Sequence, residues 1–335
     1  MKVLGIETTC DETAVAVVED GKNILSNVVA SQSDYHRQFK GVYPEMAARE
    51  HTRQIIPTID QAIQMAKISP DDLDLIAVAR GPGLIGPLLI GLNAAKTLHL
   101  SWNIPFVGVN HVEAHLYAAM MSCQTFSFPA LGVVISGGHT FLVRILEVGE
   151  YEPIGTTVDD AIGEAFDKVA ALLDLPYPGG PEVEALAKTG DPTRFPFKPG
   201  RVKKNPWNFS FSGLKTSVLY AVKGQNQSKH AKACIPEEEK KHIAASFQET
   251  ALRDIADKAL RAAKEYACKA IYIGGGVSNN QRLRELFEES PIPTYWPSQG
   301  LSLDNGAMIA GLGFHRFTGK SDSLDLEAKA RIFLT

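Results

Sequence analysis

Apolar positions near the start of the chain follow the pattern of a β-hairpin. Two apolar runs, Val3–Ile6 and Ala14–Val18, flank a polar turn rich in Thr and Asp, which is the pattern of two short strands joined by a turn. The stretch "ALGVVISGGHTFLVRILEVGE", which starts at Ala130, has the same order of apolar strand, glycine-containing turn and apolar strand. This weak internal repeat predicts two lobes that each begin with a hairpin.

Helical and strand-like patterns alternate after the first hairpin. "REHTRQIIPTIDQAIQMAKI" and "GPGLIGPLLIGLNAAKTLHLSW" have helical apolar spacing, whereas "LDLIAVA" and "IPFVGVNH" are typical of short strands. Such alternation predicts an α/β architecture with some parallel pairing. Because 335 residues exceed what one core usually fills, we expect one lobe over residues 1–128 and a second over 129–335, with a helical insertion at about 158–230.

Composition narrows the class of protein. Hydrophobic residues make up 44% of the chain and charged residues 21%, and no apolar run approaches the roughly 20 residues of a membrane helix. The four cysteines have no CxxC spacing and the N-terminus lacks a signal-peptide core, so we expect a cytoplasmic protein without membrane association. A net charge of −4 means that an RNA partner would meet a local basic patch or be presented by another subunit.

Three glycine turns are candidates for nucleotide binding. Gly137 and Gly138 occupy the second hairpin turn, Gly179 and Gly180 precede a helix, and the run "GGGVSNN" joins a strand to a helix. Glycines let backbone N–H groups approach a phosphate closely, although a single Gly-Gly pair is usually only a turn. Together the turns favour a nucleotide site, and the missing GxGxxG spacing argues against a dehydrogenase.

Two histidines are spaced for a shared metal ion. His111 and His115 lie one helical turn apart in "NHVEAH", about 6 Å apart at Cβ. Glu113 is one residue later than the glutamate of the HExxH zinc-protease motif, so it points elsewhere. A bare pair of this kind is usually a helix surface without a ligand. Asp304, in "LSLDNGAMIAG", is a candidate third ligand, although a carboxylate before a helix is usually an N-cap. Two imidazoles and one carboxylate suit ferrous iron or zinc.

The motifs form a recognisable set. "GIETTCDET", "YPEMAAREH", "GPGLIGPLLIG", "NHVEAH", "ISGGHT", "DDAIGEAFDKVA", "YPGGP", "FSFSGLKT", "GGGVSNN" and "DNGAMIA" occur in the order typical of the TsaD (Gcp or YgjD) family, which the chain resembles over nearly its whole length. The resemblance implies two actin-like lobes with a nucleotide cleft between them. It also implies transfer of a threonylcarbamoyl group from threonylcarbamoyl-AMP to the exocyclic amine of the adenosine 3′ of the anticodon, in tRNAs that read ANN codons.

The resemblance assigns roles to individual residues. The metal ligands would be His111, His115 and Asp304, around one divalent ion per subunit, Fe²⁺ or alternatively Zn²⁺. Glu12 and His139 are the candidate catalytic residues. Substrate contacts are expected from Val134, Ile135, Ser136, Gly137, Gly138, Asp167, Gly180, Glu184 and Asn280.

Two of these roles compete with simpler ones. Asp167 also belongs to a possible solvated acidic stripe with Asp160 and Glu164, and Glu12 to an ordinary polar turn. The family further implies as partners tRNA, a TsaB-like paralogue that forms a heterodimer, and a TsaE-like ATPase. Basic segments such as "HRQFKG" and "KPGRVKKNP" are candidates for contact with the tRNA backbone. A metallopeptidase, a small-molecule kinase of the actin-like superfamily and a non-enzymatic scaffold are the alternatives.

Overall fold

The computed structural model describes residues 1–37, 41–224, 235–332 and 334. Part of the basic segment "HRQFKG" and one of the four cysteines, Cys234, lie outside the described residues. The chain divides into two compact units. Unit 1 contains Met1–Phe126, Glu147–Tyr151 and Trp296–Thr335, and unit 2 contains Ser127–Leu146 and Glu152–Tyr295.

Within the described ranges, ten strands form two sheets of five strands each. They are β1 (Lys2–Glu7), β2 (Glu12–Glu19), β3 (Asn23–Ser31), β4 (Leu75–Gly81), β5 (Phe106–Asn110), β6 (Ala130–Ile135), β7 (Thr140–Glu147), β8 (Glu150–Thr156), β9 (Ala270–Gly274) and β10 (Thr294–Tyr295).

The α-helices also number ten among the described residues. They are α1 (Ser33–Arg37), α2 (Pro44–Ala66), α3 (Ile85–Trp102), α4 (His111–Met120), α5 (Ile162–Leu172), α6 (Gly179–Ala187), α7 (Ser212–Lys223), α8 (Glu237–Glu265), α9 (Gln281–Glu288) and α10 (Gly306–Arg316). In the described ranges no helix combines the length and hydropathy needed to cross a membrane.

The two sheets have the same topology. The first has the order β3-β2-β1-β4-β5 and the second β8-β7-β6-β9-β10. In each, the first strand pairs antiparallel with its hairpin partner and parallel with the next strand across, β1 with β4 and β6 with β9. The predicted pair of hairpins and the α/β class with parallel pairing are therefore confirmed.

Helix α10 packs directly on the sheet of unit 1, and small residues permit this close approach. A Cβ at Gly5 on β1 would lie 2.3 Å from the Gly306 carbonyl oxygen and 2.5 Å from the Ala310 nitrogen, and one at Gly306 would lie 2.4 Å from the Ala16 nitrogen. Either side chain would force the helix away from the sheet, because real Cβ atoms do not approach other atoms so closely. The expected second lobe of 129–335 thus needs a correction, since Trp296–Thr335 belongs to unit 1.

Unit 2 is built around the long helix α8. Helices α5, α6 and α7 lie in sequence between β8 and α8, within the range expected for a helical insertion. Phe166 on α5 and Phe247 on α8 meet edge to face at 5.0 Å between ring centroids, and both are buried. Aromatic pairs of this geometry add to the free energy of burial, so α5 is anchored to α8 at its apolar face.

Candidate functional site

The histidine pair is placed by the start of α4. The Asn110 side chain accepts hydrogen bonds from the backbone N–H groups of Val112 and Glu113, so the helix begins at His111. One turn then separates His111 from His115, and their ring centroids are 4.6 Å apart. Both side chains are buried. The pair is therefore not the exposed helix surface that the simpler interpretation expected.

Asp304 faces the pair because the next residue caps α10. The Asn305 side chain accepts the Met308 N–H at 2.9 Å, which is the N-cap contact that a carboxylate at this point usually makes. The Asp304 Oδ1 lies 3.1 Å from His115 Nε2 and 3.7 Å from His111 Nε2. The sequence alternative that made Asp304 a cap is thus wrong.

The three side chains fit a divalent metal ion. One ligand atom from each lies within 4.8 Å of the other two. Atoms bound tetrahedrally at about 2.1 Å are separated by roughly 3.4 Å, and the distances of 3.1 and 3.7 Å lie on either side of this value. Two imidazoles and a carboxylate leave further coordination positions for substrate oxygens.

The electrostatic surroundings favour positive charge at this position. Burial alone would lower the pKa of His111, but the carboxylates of Glu7 and Asp304 raise it to about 9. Glu7 is fully buried and its Oε2 lies 2.9 Å from His111 Nδ1. A proton or a cation is therefore stabilised between the two carboxylates.

Glu113 has a different environment from its histidine neighbours. Its Oε1 accepts a hydrogen bond from the Tyr151 hydroxyl at 2.9 Å. Burial raises the pKa of this carboxyl, and Arg316 and the Tyr151 hydroxyl oppose the rise. The carboxylate thus belongs to a cluster with Tyr151, so the geometry supplies no support for the metallopeptidase alternative.

Glu12 starts strand β2, and the charge of Asp304 acts on its carboxyl. The Ser31 hydroxyl donates to its Oε1 at 3.1 Å. Burial, followed by the charges of Asp11 and Asp304, raises the pKa of Glu12 to about 9. These effects favour the neutral, protonated form of the carboxyl, which is able to donate a hydrogen bond, unlike an ordinary solvated turn acid.

The glycine hairpin turn of unit 2 presents exposed backbone. The Ser136 N–H donates to the His139 carbonyl at 2.8 Å, and the His139 N–H donates to the Ser136 hydroxyl oxygen at 3.1 Å. These bonds close the turn, and nothing lies within 4 Å of a Cβ built on Gly137 or Gly138. Val134 and Ile135 are fully buried, so their side chains belong to the core and only their backbone is suited to a ligand.

The strand-to-helix turn "GGGVSNN" packs against this hairpin turn. A Cβ on Gly275, whose φ is +96°, would lie 2.5 Å from the Ile135 carbonyl oxygen. At the start of α5, a Cβ on Gly163 would lie 2.8 Å from the Gly137 Cα. The hairpin turn, the strand-to-helix turn and the α5 N-terminus therefore lie together within unit 2.

Asp167 and Asn280, two residues predicted to contact the adenylate, form hydrogen bonds at the N-termini of helices. Asp167 Oδ1 accepts the Gly179 N–H at 2.7 Å, and burial raises the pKa of this carboxyl while the N–H groups of Gly179 and Gly180 oppose the rise. Asn280 caps α9 and its amide donates to Gln248 at 2.9 Å. Asp167 is thus not part of a solvated stripe, and a Cβ on Gly180 would meet nothing within 4 Å.

Glu184 lies beside the N-terminus of α9. Its Oε1 accepts the Gln281 N–H at 2.7 Å. It also lines an open cavity of about 280 Å³ together with Lys188, Gln248 and Arg282. Substrate contact at Glu184 stays a prediction, as it does for the other residues of unit 2.

Sequence reasoning missed two residues that contact His111. Glu7 and Thr9 follow the apolar run of β1, and the Thr9 hydroxyl lies 3.3 Å from His111 Nδ1. The sequence did contain one signal, an acidic residue at the end of an otherwise apolar strand. Its partner is far along the chain, so the spacing contained no further information.

The fold defines the class of protein. T. kodakarensis HypF matches with a TM-score of 0.62 and 15% identity over 94% of this chain and 47% of that one. The ROK hexokinase of Thermus thermophilus matches with a TM-score of 0.52 and 15% identity over 94% and 97%. These similarities show the fold, an actin-like α/β architecture.

The sequence defines the family. The family model TsaD, tRNA N6-adenosine threonylcarbamoyltransferase, matches residues 23–311. A protein of that name from Protochlamydia amoebophila is 60% identical over 99% of this chain and 98% of its own length. The chain therefore belongs to the TsaD family, which confirms the resemblance and the expected fold class. The family implies a divalent metal, for which the three clustered side chains form a possible site.

Proposed function

We propose that the protein transfers the threonylcarbamoyl group of threonylcarbamoyl-AMP to the exocyclic N6 amine of the adenosine 3′ of the anticodon, in tRNAs that read ANN codons, and releases AMP. The observation that carries this proposal is 60% identity across 99% of the chain to a transferase of that name. The buried triad of two histidines and one aspartate supports it from the structure.

His111, His115 and Asp304 would hold one divalent metal ion, with Fe²⁺ as the native ion and Zn²⁺ as the alternative. When bound, such an ion orients and polarises oxygens of the threonylcarbamoyl group as a Lewis acid. Three protein ligands leave coordination positions for those oxygens. The buried Glu7 and the partly buried Asp304 offset the charge of a dication.

Glu12 would act from its neutral form. Burial and the charge of Asp11 raise its pKa, which favours the protonated carboxyl that is able to donate a hydrogen bond to the reacting carbonyl. Donors prearranged toward developing negative charge are among the largest contributions to catalysis. The Ser31 hydroxyl, 3.1 Å away, holds Glu12 Oε1 in place.

The adenylate would bind to unit 2. Gly137 and Gly138 are exposed, and nothing lies within 4 Å of a Cβ built on either, so their backbone is suited to phosphate or acyl oxygens. Asp167, Gly180, Glu184 and Asn280 would contact the nucleoside. His139, which follows the two glycines, would assist proton transfer as AMP leaves.

The tRNA and the protein partners complete the proposal. Exposed residues of the segment "KPGRVKKNP" would contact the tRNA backbone, namely Lys198, Arg201, Lys203 and Lys204. A TsaB-like paralogue would form a heterodimer with this chain, and a TsaE-like ATPase would act with both in the cytoplasm.

A reconstituted reaction tests the transferase function. The protein and its two partners are incubated with unmodified tRNA, threonine, bicarbonate and ATP, together with the enzyme that makes threonylcarbamoyl-AMP. Mass spectrometry of the digested nucleosides should show threonylcarbamoyladenosine with the wild type and a strongly reduced amount with His115→Ala. Unmodified adenosine in all samples, or modification by His115→Ala equal to the wild type, would contradict the proposal.

A further inference from the structure

Glu7 is a buried carboxylate with an unusual partner. It ends strand β1 and is 0% exposed. Its Oε1 accepts the Thr9 N–H at 2.5 Å, and its Oε2 lies 2.9 Å from His111 Nδ1. Among the described residues, the imidazole of His111 is its one ion-pairing partner. Burial of a carboxylate requires such compensation, so Glu7 and His111 are coupled.

The two ring nitrogens of His111 lie near different carboxylates. Nδ1 faces Glu7, and Nε2 lies 3.7 Å from Asp304 Oδ1. A neutral imidazole donates from one nitrogen and presents a lone pair at the other. Because a carboxylate only accepts, the Nδ1 beside Glu7 must be the donor. In the neutral ring, the form that binds a metal ion, the lone pair is then on Nε2, toward Asp304 and His115.

We propose that Glu7 is a positioning residue that holds His111 in the Nδ1–H tautomer and so prepares Nε2 to bind the divalent ion. This inference rests on the proposed metal site. The other histidine lacks such a partner, since His115 Nδ1 is buried without a hydrogen bond in the described part of the chain. Glu7 therefore controls one of the two imidazoles.

A measurement of Zn²⁺ affinity tests this role independently of catalytic activity. Metal-free wild type and Glu7→Gln are titrated with Zn²⁺ against a chromophoric chelator. Loss of a partner that orients a metal-binding histidine typically weakens binding about 10–100-fold, and we expect a loss in this range. Equal affinities for the two proteins would overturn the inference.

Glu113→Gln is the matched control, because it neutralises another buried carboxylate, located on α4 itself and bonded to Tyr151. We expect its Zn²⁺ affinity to stay within about twofold of the wild type. A loss equal to that of Glu7→Gln would assign the effect to general packing around the helix and would also overturn the inference.

A measurement on the wild type covers the case in which Glu7→Gln does not fold. Long-range ¹H–¹⁵N spectra of the Zn²⁺-loaded protein should show the His111 proton on Nδ1 and the metal on Nε2. The reverse assignment would contradict the role of Glu7. If the wild type bound no Zn²⁺ at the triad, the metal site itself would fail, whereas equal binding by wild type and Glu7→Gln would overturn only this inference.

Discussion

The two units have the same sheet topology, but their first hairpin turns differ in composition. In unit 1 the turn between β1 and β2 is bordered by the acids Glu7 and Glu12, and it lies beside a histidine pair. In unit 2 the turn between β6 and β7 contains the exposed Gly137 and Gly138. Acidic and imidazole groups suit a cation, whereas bare backbone N–H groups suit an anion. A repeated scaffold therefore presents groups of opposite charge preference at its two hairpin turns, and the residues of each turn determine that preference.

Removal of a metal ligand should have the largest effect, confined to unit 1. In His115→Ala the triad keeps one imidazole and one carboxylate, so we expect Zn²⁺ affinity to fall by at least about 100-fold, beyond the range for an orienting partner. Chelator competition measures it, with the unit 2 variant Gly137→Ala as the control. The comparison fails if Gly137→Ala loses as much Zn²⁺ affinity as His115→Ala.

Gly275→Ala should damage unit 2 instead. The backbone at Gly275 has φ +96°, and its new Cβ would lie 2.5 Å from the Ile135 carbonyl oxygen. A non-glycine residue in such a conformation costs about 1–3 kcal/mol before the clash is added. We expect a lower midpoint of urea unfolding and weaker AMP binding by calorimetry. Gly137→Ala, whose Cβ meets nothing within 4 Å, should keep the wild-type midpoint.

Neutralisation of Glu12 should change how stability depends on pH. The folded pKa of about 9 lies above the ordinary glutamate pKa of 4.5. Between these values the folded protein binds a proton that the unfolded chain has released, so this group makes the free energy of unfolding fall as pH rises. Metal-free Glu12→Gln should therefore melt at a higher temperature than metal-free wild type at pH 8. The two melting temperatures should converge toward pH 4.5, and a constant difference across this range would contradict the raised pKa.

The local patterns were predictable and the tertiary placements were not. Both hairpins and the histidine spacing follow from short-range periodicity, which needs no knowledge of the fold. Asp304 reaches the histidines only because α10 lies against β1, and that approach depends on Gly5 and Gly306. The sequence alone also left open whether Asp304 would be a metal ligand or the N-cap of α10. The site was recognisable mainly through the family resemblance, since spacing cannot join residues so distant in the chain.

The smallest expected effect concerns the phosphates of tRNA. The exposed basic residues near Lys203 belong to unit 2, the unit that we also propose to bind the adenylate. Lys203→Ala removes one possible phosphate contact, so tRNA affinity should fall severalfold and the slope of log K against log salt should become shallower by about 1. Filter binding at several salt concentrations measures both quantities. Lys67→Ala, which removes a lysine of unit 1 just after α2, is the matched control, and an equal change of slope there would show that unit 2 has no special part in phosphate binding.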